Sequence, residues 1–239
     1  MNAKVCAMRE IILINSTPFP TIPTLIVNTI HYLPLYKALL EVGINPQCPK
    51  DTINALIFTS KHAIKALLQE LQTHRDMQDF LKIPAFAIGS GTACMLEQNG
   101  FNIEFVASKA YGASFGEALT KRLQNRSALY FRAQTIASNL DKELLMHIKL
   151  YQVIAYQNIT KTLPQSQKPH PHSILIFTAP SNYISFVQNF GWDHSYIAVA
   201  IGTTTLRAFA QGITSYVSTT QTLEGCVEFA RNLAKTLPK

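Results

Sequence analysis

The second half of the chain repeats the pattern of the first, and this repeat limits the fold more than any other feature of the sequence. Residues 55–60 read ALIFTS and residues 174–181 read ILIFTAPS. Each is an unbroken apolar run that closes on small hydroxyl residues and passes into a helical pattern, over 61–71 in the first copy and 182–190 in the second. A continuous apolar run marks a strand buried on both faces, as in a parallel sheet covered by helices. Residues 85–92, AFAIGSGT, are then echoed by 199–205, VAIGTTT, a strand turning at glycine into a short helix that ends at Gly100 or Gly212. NIEFVAS at 102–108 answers ITSYVS at 213–218, and each leads to a last helix, beginning near Ala113 and Leu223.

Alternation of this kind predicts an α/β fold of two similar open parallel-sheet domains, flavodoxin- or Rossmann-like, because a helical crossover is the short way to make neighbouring strands parallel. Between the copies, ALYFR at 128–132 is a further strand, 136–146 a helix and YQVIAYQNI at 151–159 another strand. Residues 160–172, rich in Pro, Gln and His, read as a loop. Near the start, 11–16 is a strand with no helix after it, since Pro18, Pro20 and Pro23 forbid a regular one, and 24–35 is extended again. The lone strand needs a sheet, and the C-terminal copy has three strands of its own. The prediction is therefore a discontinuous first domain, 1–30 with 158–239, and an inserted second domain, 31–157, joined by a two-stranded ladder with a cleft between them.

Hydrophobic residues make up 47% and charged residues 15% of the chain, enough apolar surface for real cores. The longest apolar runs fall far short of the roughly 20 residues that cross a bilayer, and residues 1–10 hold no apolar region of signal-peptide length. The expectation is a soluble cytoplasmic protein with no membrane partner. Cys6, Cys48, Cys94 and Cys226 form no Cys-x-x-Cys pair, so reduced thiols and no metal site are expected. His170 and His172 flank Pro171 without Cys or carboxylate partners and do not change this. The net charge of +7 favours an anionic partner. Nucleic acid is not expected to be that partner, because the positive residues are scattered and no zinc-finger or aromatic RNA-binding signature is found.

In open α/β sheets ligands bind beyond the carboxyl ends of the strands, where helix N-termini present free N–H groups. The repeated motifs place Ser60, Ser90 and Thr92 there in one copy, and Thr178, Ser181, Asn182, Thr203 and Thr204 in the other. For any one hydroxyl, helix capping is the simpler explanation; the repetition points to a pair of anion-binding rims. A helix N-terminus contributes about 0.3–1 kcal/mol toward a nearby anion, whereas micromolar binding requires about 8 kcal/mol. Cations, with Lys61 and Arg132 as candidates, and apolar contact must supply the rest. Gly89-Ser90-Gly91 lacks the third glycine of a dinucleotide fingerprint, and no Walker sequence or Gly-x-Ser-x-Gly elbow occurs. Tyr156 lies in an apolar strand at a chain crossing, where packing alone would explain it.

The paired Phe-Thr-Ser and Ile-Gly-x-x-Thr motifs, Ala155-Tyr156-Gln157 and Thr222-Leu223-Glu224-Gly225 resemble the uroporphyrinogen-III synthase family, over nearly the whole chain from Ile11. The resemblance implies a monomer that holds hydroxymethylbilane, a linear tetrapyrrole, by its acetate and propionate carboxylates. It implies loss of the hydroxymethyl hydroxyl and closure of the ring with the terminal D pyrrole inverted. The substrate carries its own electrophile, so no cofactor is implied. Tyr156 matches the family tyrosine that donates to the departing hydroxyl. Thr92, Thr204 and Thr205 match family threonines, with Thr203 in place of a proline. Ala179 stands where serine is usual, which leaves Ser181 as the hydroxyl there, and Ala133 stands where glycine often follows Arg132. The first helix of the first domain looks missing. The competing readings are a non-catalytic two-domain binding protein for an organic anion and a nucleotide-dependent α/β enzyme.

Overall fold

The computed structural model describes residues 9–107, 114–136 and 139–236. The helix start predicted at Ala113 and residues 137–138 of the predicted 136–146 helix lie outside the described residues. Along the chain the strands are β1 (Ile11–Asn15), β2 (Thr24–Ile26), β3 (Asn28–Tyr32), β4 (Ala55–Phe58), β5 (Ala85–Ile88), β6 (Ile103–Ala107), β7 (Ser127–Ala133), β8 (Lys149–Thr160), β9 (Ile174–Phe177), β10 (Ile197–Ala200) and β11 (Ser215–Val217). The helices are α1 (Leu35–Glu41), α2 (Lys61–Thr73), α3 (Ser90–Gln98), α4 (Ser114–Leu123), α5 (Leu140–Leu145), α6 (Pro180–Phe190), α7 (Thr203–Leu206) and α8 (Leu223–Thr236). Two compact units result, one of Met1–Thr29 with Ile159–Lys239 and one of Ile30–Asn158.

In the discontinuous unit the sheet order is β11-β10-β9-β1-β2, with every pairing parallel. Ile11–Asn15 does join the C-terminal strands, and it lies beside β9 with Ile11 opposite Ile174. No helix follows β1. Instead the proline-rich stretch swings back and β2 adds a parallel edge. Strand alternation divides the core in two: Leu175 and Phe177 pack with Ile12, Ile14 and Phe186 on the α6 face, while Ile174 and Ile176 pack with Leu13, Val227 and Ala230 on the α8 face. Both sides of β9 are buried, which is why its four residues are apolar without a break.

The continuous unit carries a six-stranded sheet in the order β3-β8-β7-β4-β5-β6, with parallel pairings from β8 through β6. Leu56 and Phe58 face α2 with Leu67 and Phe131; Ala55 and Ile57 face Leu119, Leu123, Leu140 and Leu144 of α4 and α5. The chain passes between the units in β3 and β8, which are neighbours in this sheet.

Several elements depart from the sequence expectation. The stretch 24–35 is extended as far as Tyr32, but it breaks at Val27 into β2 and β3, which belong to different sheets. Helix α1 was not anticipated. It buries only Leu35 and Leu39, and its first N–H groups, on Leu35 and Tyr36, donate to the Glu70 carboxylate of α2 at 2.9 and 3.4 Å. A cap supplied from another helix leaves no local sequence signal. Helix α6 starts at Pro180 rather than Asn182, with proline in the first turn where its missing N–H costs nothing. The 136–146 helix is confined to Leu140–Leu145 among the described residues.

Candidate active site

In the continuous unit the carboxyl ends of β4, β5, β7 and β8 carry most of the residues named from the sequence. Ser60 follows β4 and caps α2, its hydroxyl accepting from the His62 N–H at 3.2 Å. The neighbouring Thr59 hydroxyl pairs with the Tyr130 phenol at 3.0 Å. Tyr130 is buried, and burial pushes its phenol up to about 12 against the opposing effect of the Thr59 bond.

Tyr156 owes its place to an irregularity. Along β7 and β8, Arg132 pairs with Ile154 but Ala133 pairs with Tyr156, so Ala155 is an extra residue on β8. Val153, Ala155 and Tyr156 consequently all join the core cluster under α2, where strict alternation would have sent Tyr156 to the face of Ile154. Burial raises the pKa of the phenol, against the opposing effect of the Ser60 hydroxyl. At 8% exposure it is desolvated yet within reach of the strand ends. A phenol raised above its ordinary value of about 10 stays protonated near neutrality and can donate.

His62, in the first turn of α2, completes this cluster. Its Nδ1 lies 3.2 Å from the Tyr32 hydroxyl, and its ring lies 5.3 Å from that of Tyr156 with the planes tilted by 50°. Burial, then the charges of Lys65 and Lys61, lowers the imidazole from 6.5 to about 4, so it is neutral at pH 7. Burial, then the neighbouring Tyr156, raises Tyr32. The depressed imidazole makes stability pH-dependent. Between pH 6.5 and about 4 the unfolded chain takes up a proton here and the folded chain does not. This contribution is therefore complete above pH 6.5 and falls as the pH drops toward 4, by on the order of 2–3 kcal/mol. Urea unfolding of the protein and of His62→Phe across that range tests it; the variant is expected to lose less stability on acidification.

Lys61 is exposed, and its side chain lies over Gly91 in the first turn of α3, so that a Cβ on Gly91 would stand 2.8 Å from Lys61 Cε. Gly89, before this turn, has φ of +83°, which only glycine adopts readily. Ser90 is exposed, whereas Thr92 is buried. Arg132 is the next-to-last residue of β7, its guanidinium pinned by donation to the Ala133 and Gln134 carbonyls at 2.9 and 3.2 Å. The structure thus places Ser60 and Lys61 at the start of α2, with Lys61 reaching over the first turn of α3 beside Ser90, Tyr156 against His62 of α2, and Arg132 on the strand beside Tyr156.

In the discontinuous unit a buried amide network underlies the strand ends. The Thr178 hydroxyl donates to Asn15 Oδ1 at 2.8 Å, and Asn182 Nδ2 donates to the Thr178 hydroxyl at 2.8 Å. Asn28 Nδ2 donates to Asn182 Oδ1 at 3.0 Å. Asn182 is 2% exposed with both ends of its amide engaged. Ser181 is half-buried; Thr203 and Thr204 are exposed in the first turn of α7, and Thr205 is buried beneath them. The Thr222 hydroxyl accepts from the Gly225 N–H at 3.1 Å at the start of α8, and a Cβ on Gly225 would collide with the Thr220 hydroxyl.

Sequence reasoning missed His62, Tyr32, Asn15 and Asn28. His62 adjoins the named Ser60 and Lys61, but its partners Tyr32 and Tyr156 come from separate strands. Among the described residues no group of His, Cys, Asp and Glu could hold a metal ion, and no helix is long and apolar enough to cross a membrane.

Two parallel-sheet units, one inserted in the sequence of the other, with donors at the strand ends and a desolvated phenol, place the chain among two-domain α/β enzymes. A family model described as uroporphyrinogen-III synthase HemD matches residues 28–228. The crystal structure of uroporphyrinogen-III synthetase from Helicobacter pylori shares 37% identity, with 95% of this chain and 100% of that one covered and a TM-score of 0.75. A mutant uroporphyrinogen III synthase from Thermus thermophilus shares the fold at 13% identity, covering 95% and 99% of the two chains, with a TM-score of 0.65. None of the curated proteins matches the sequence. The chain belongs to the uroporphyrinogen-III synthase family, the cyclising lyases of tetrapyrrole biosynthesis.

Proposed function

We propose that this enzyme converts hydroxymethylbilane to uroporphyrinogen III, closing the ring with the terminal D pyrrole inverted, and that Tyr156 donates to the departing hydroxyl. The bulge at Ala155 carries the reading of the site, because it turns a protonated, desolvated phenol toward the N-terminus of α2 and the Ser60 hydroxyl. Hydroxide leaves the hydroxymethyl carbon on the terminal pyrrole more readily when a neutral donor shares its developing charge.

Each unit supplies donors to the substrate carboxylates: Ser60, Lys61, Ser90 and Arg132 in one, and Ser181, Thr203 and Thr204 in the other, while the Thr178 hydroxyl is already committed to Asn15. Thr92 and Asn182 act beneath them. Asn182 and Asn15 lock Thr178 in place under the α6 N-terminus, the Asn182 amide being shared between Thr178 and Asn28. Holding a flexible chain in one geometry supplies most of the advantage over spontaneous closure. The enzyme works as a cytoplasmic monomer, with domains of 1–30 with 158–239 and of 31–157, and without a cofactor. Purified protein is incubated with hydroxymethylbilane and the products are oxidised and separated as porphyrins. The type III isomer is expected; type I alone would contradict the proposal.

A further inference from the structure

His62 contributes its backbone N–H to the Ser60 cap, and any residue but proline would do that. The imidazole needs another explanation, because it is set between two tyrosine side chains in a place where burial disfavours its charged form. Its surroundings supply one. On one side the Tyr32 hydroxyl of β3 meets Nδ1 at 3.2 Å, which fixes the rotation of the ring. On the other side the tilted Tyr156 ring lies 5.3 Å away, centroid to centroid. Strands β3 and β8 are neighbours in the sheet, so α2 lays His62 against tyrosines from two adjacent strands. Tyr156 follows the extra residue of a bulge, where the ladder alone fixes a side chain less tightly than in regular strand.

We infer that His62 is a positioning residue for the Tyr156 phenol: its ring, fixed by the Tyr32 hydroxyl, abuts the Tyr156 ring and holds the phenol at the Ser60 end of α2. This rests on the proposed role of Tyr156 as donor to the departing hydroxyl. A neutral ring suits the task. An imidazolium beside a carbon that becomes electron-poor as hydroxide leaves would oppose the charge forming there. The effect falls on turnover, because the phenol meets the leaving oxygen as the bond breaks, while most of the donors to the substrate carboxylates are residues that do not touch His62.

The test measures kcat and KM for hydroxymethylbilane in His62→Gln and Tyr32→Phe, each alone and combined with Tyr156→Phe, with circular dichroism to verify folding. His62→Gln is expected to lower kcat about 10-fold and Tyr32→Phe about 3-fold, with KM changed by less than about 2-fold. Neither is expected to lower kcat further once Tyr156 is phenylalanine, because the group being positioned is gone. A merely structural role would give losses that multiply with that of Tyr156→Phe. Multiplying losses, or wild-type kcat in folded His62→Gln and in Tyr32→Phe, would overturn the inference. If His62→Gln does not fold, the Tyr32→Phe cycle decides. Wild-type protein that yields only type I would end the reading of function and this inference with it; wild-type protein that yields type III beside variants of unchanged kcat would end the inference alone.

Discussion

Tyr156→Phe is expected to lower turnover about 100-fold, within the range of a single acid–base group, while the protein stays folded. The substitution removes one oxygen. The ring remains in the core cluster with Val153, Ala155 and Phe131, and the tilted contact with His62 is unaffected. Ser60 still caps α2 through the His62 N–H, so the cost to stability is expected not to exceed that of one hydrogen bond, about 1 kcal/mol. What disappears is the phenolic proton, which a tyrosine carries at neutral pH and which the raised pKa leaves in place. Steady-state kinetics with hydroxymethylbilane measures the loss. A folded variant with wild-type kcat would show that Tyr156 is only a packing residue.

Phe177→Ala carries the largest expected cost in stability, about 3–5 kcal/mol. Phe177 is fully buried at the end of β9, and its ring lies 5.5 to 5.8 Å from those of Phe209, Tyr183 and Phe186 and 6.3 Å from Trp192. Several of these rings meet it edge to face, an arrangement that adds to simple burial. Their mutual packing restricts how far the neighbours can collapse into the space left behind. A loss of this size is a large share of the 5–15 kcal/mol typical of a folded domain. Urea unfolding followed by tryptophan fluorescence suits the measurement, because Trp192 sits in the same cluster. A change under about 1 kcal/mol would mean that this aromatic cluster does not hold the unit together.

Legibility in the sequence follows from how locally each feature is encoded. ALIF and ILIF could be read as buried parallel strands because both faces of β4 and β9 are covered, which demands apolar residues without alternation. The joining of Ile11–Asn15 to the C-terminal strands was legible from the prolines that follow and the shortage of strands in that half. Helix α1 was not legible, since Glu70, far along the chain, caps it. The site was legible only at its loops. Ser60, Ser90, Thr178 and Thr203 stand at turns that the repeat marks, whereas the orientation of Tyr156 depends on a register shift between β7 and β8. Strict alternation along YQVIAYQ would have placed that phenol on the wrong face. His62 was hidden for a related reason, because its two aromatic partners come from strands that only the folded sheet brings side by side. Asn182 looked like a rim residue from its position and proves to be a buried strut, its amide divided between Asn28 and Thr178.

The central claim is that the protein directs ring closure toward the inverted isomer in competition with a spontaneous reaction that gives the other. Measuring the ratio of type III to type I porphyrin as the protein is titrated into a fixed amount of hydroxymethylbilane tests it most directly. The ratio should rise with protein concentration until type III is nearly the sole product. A ratio that stays at the protein-free value at every concentration would contradict the account.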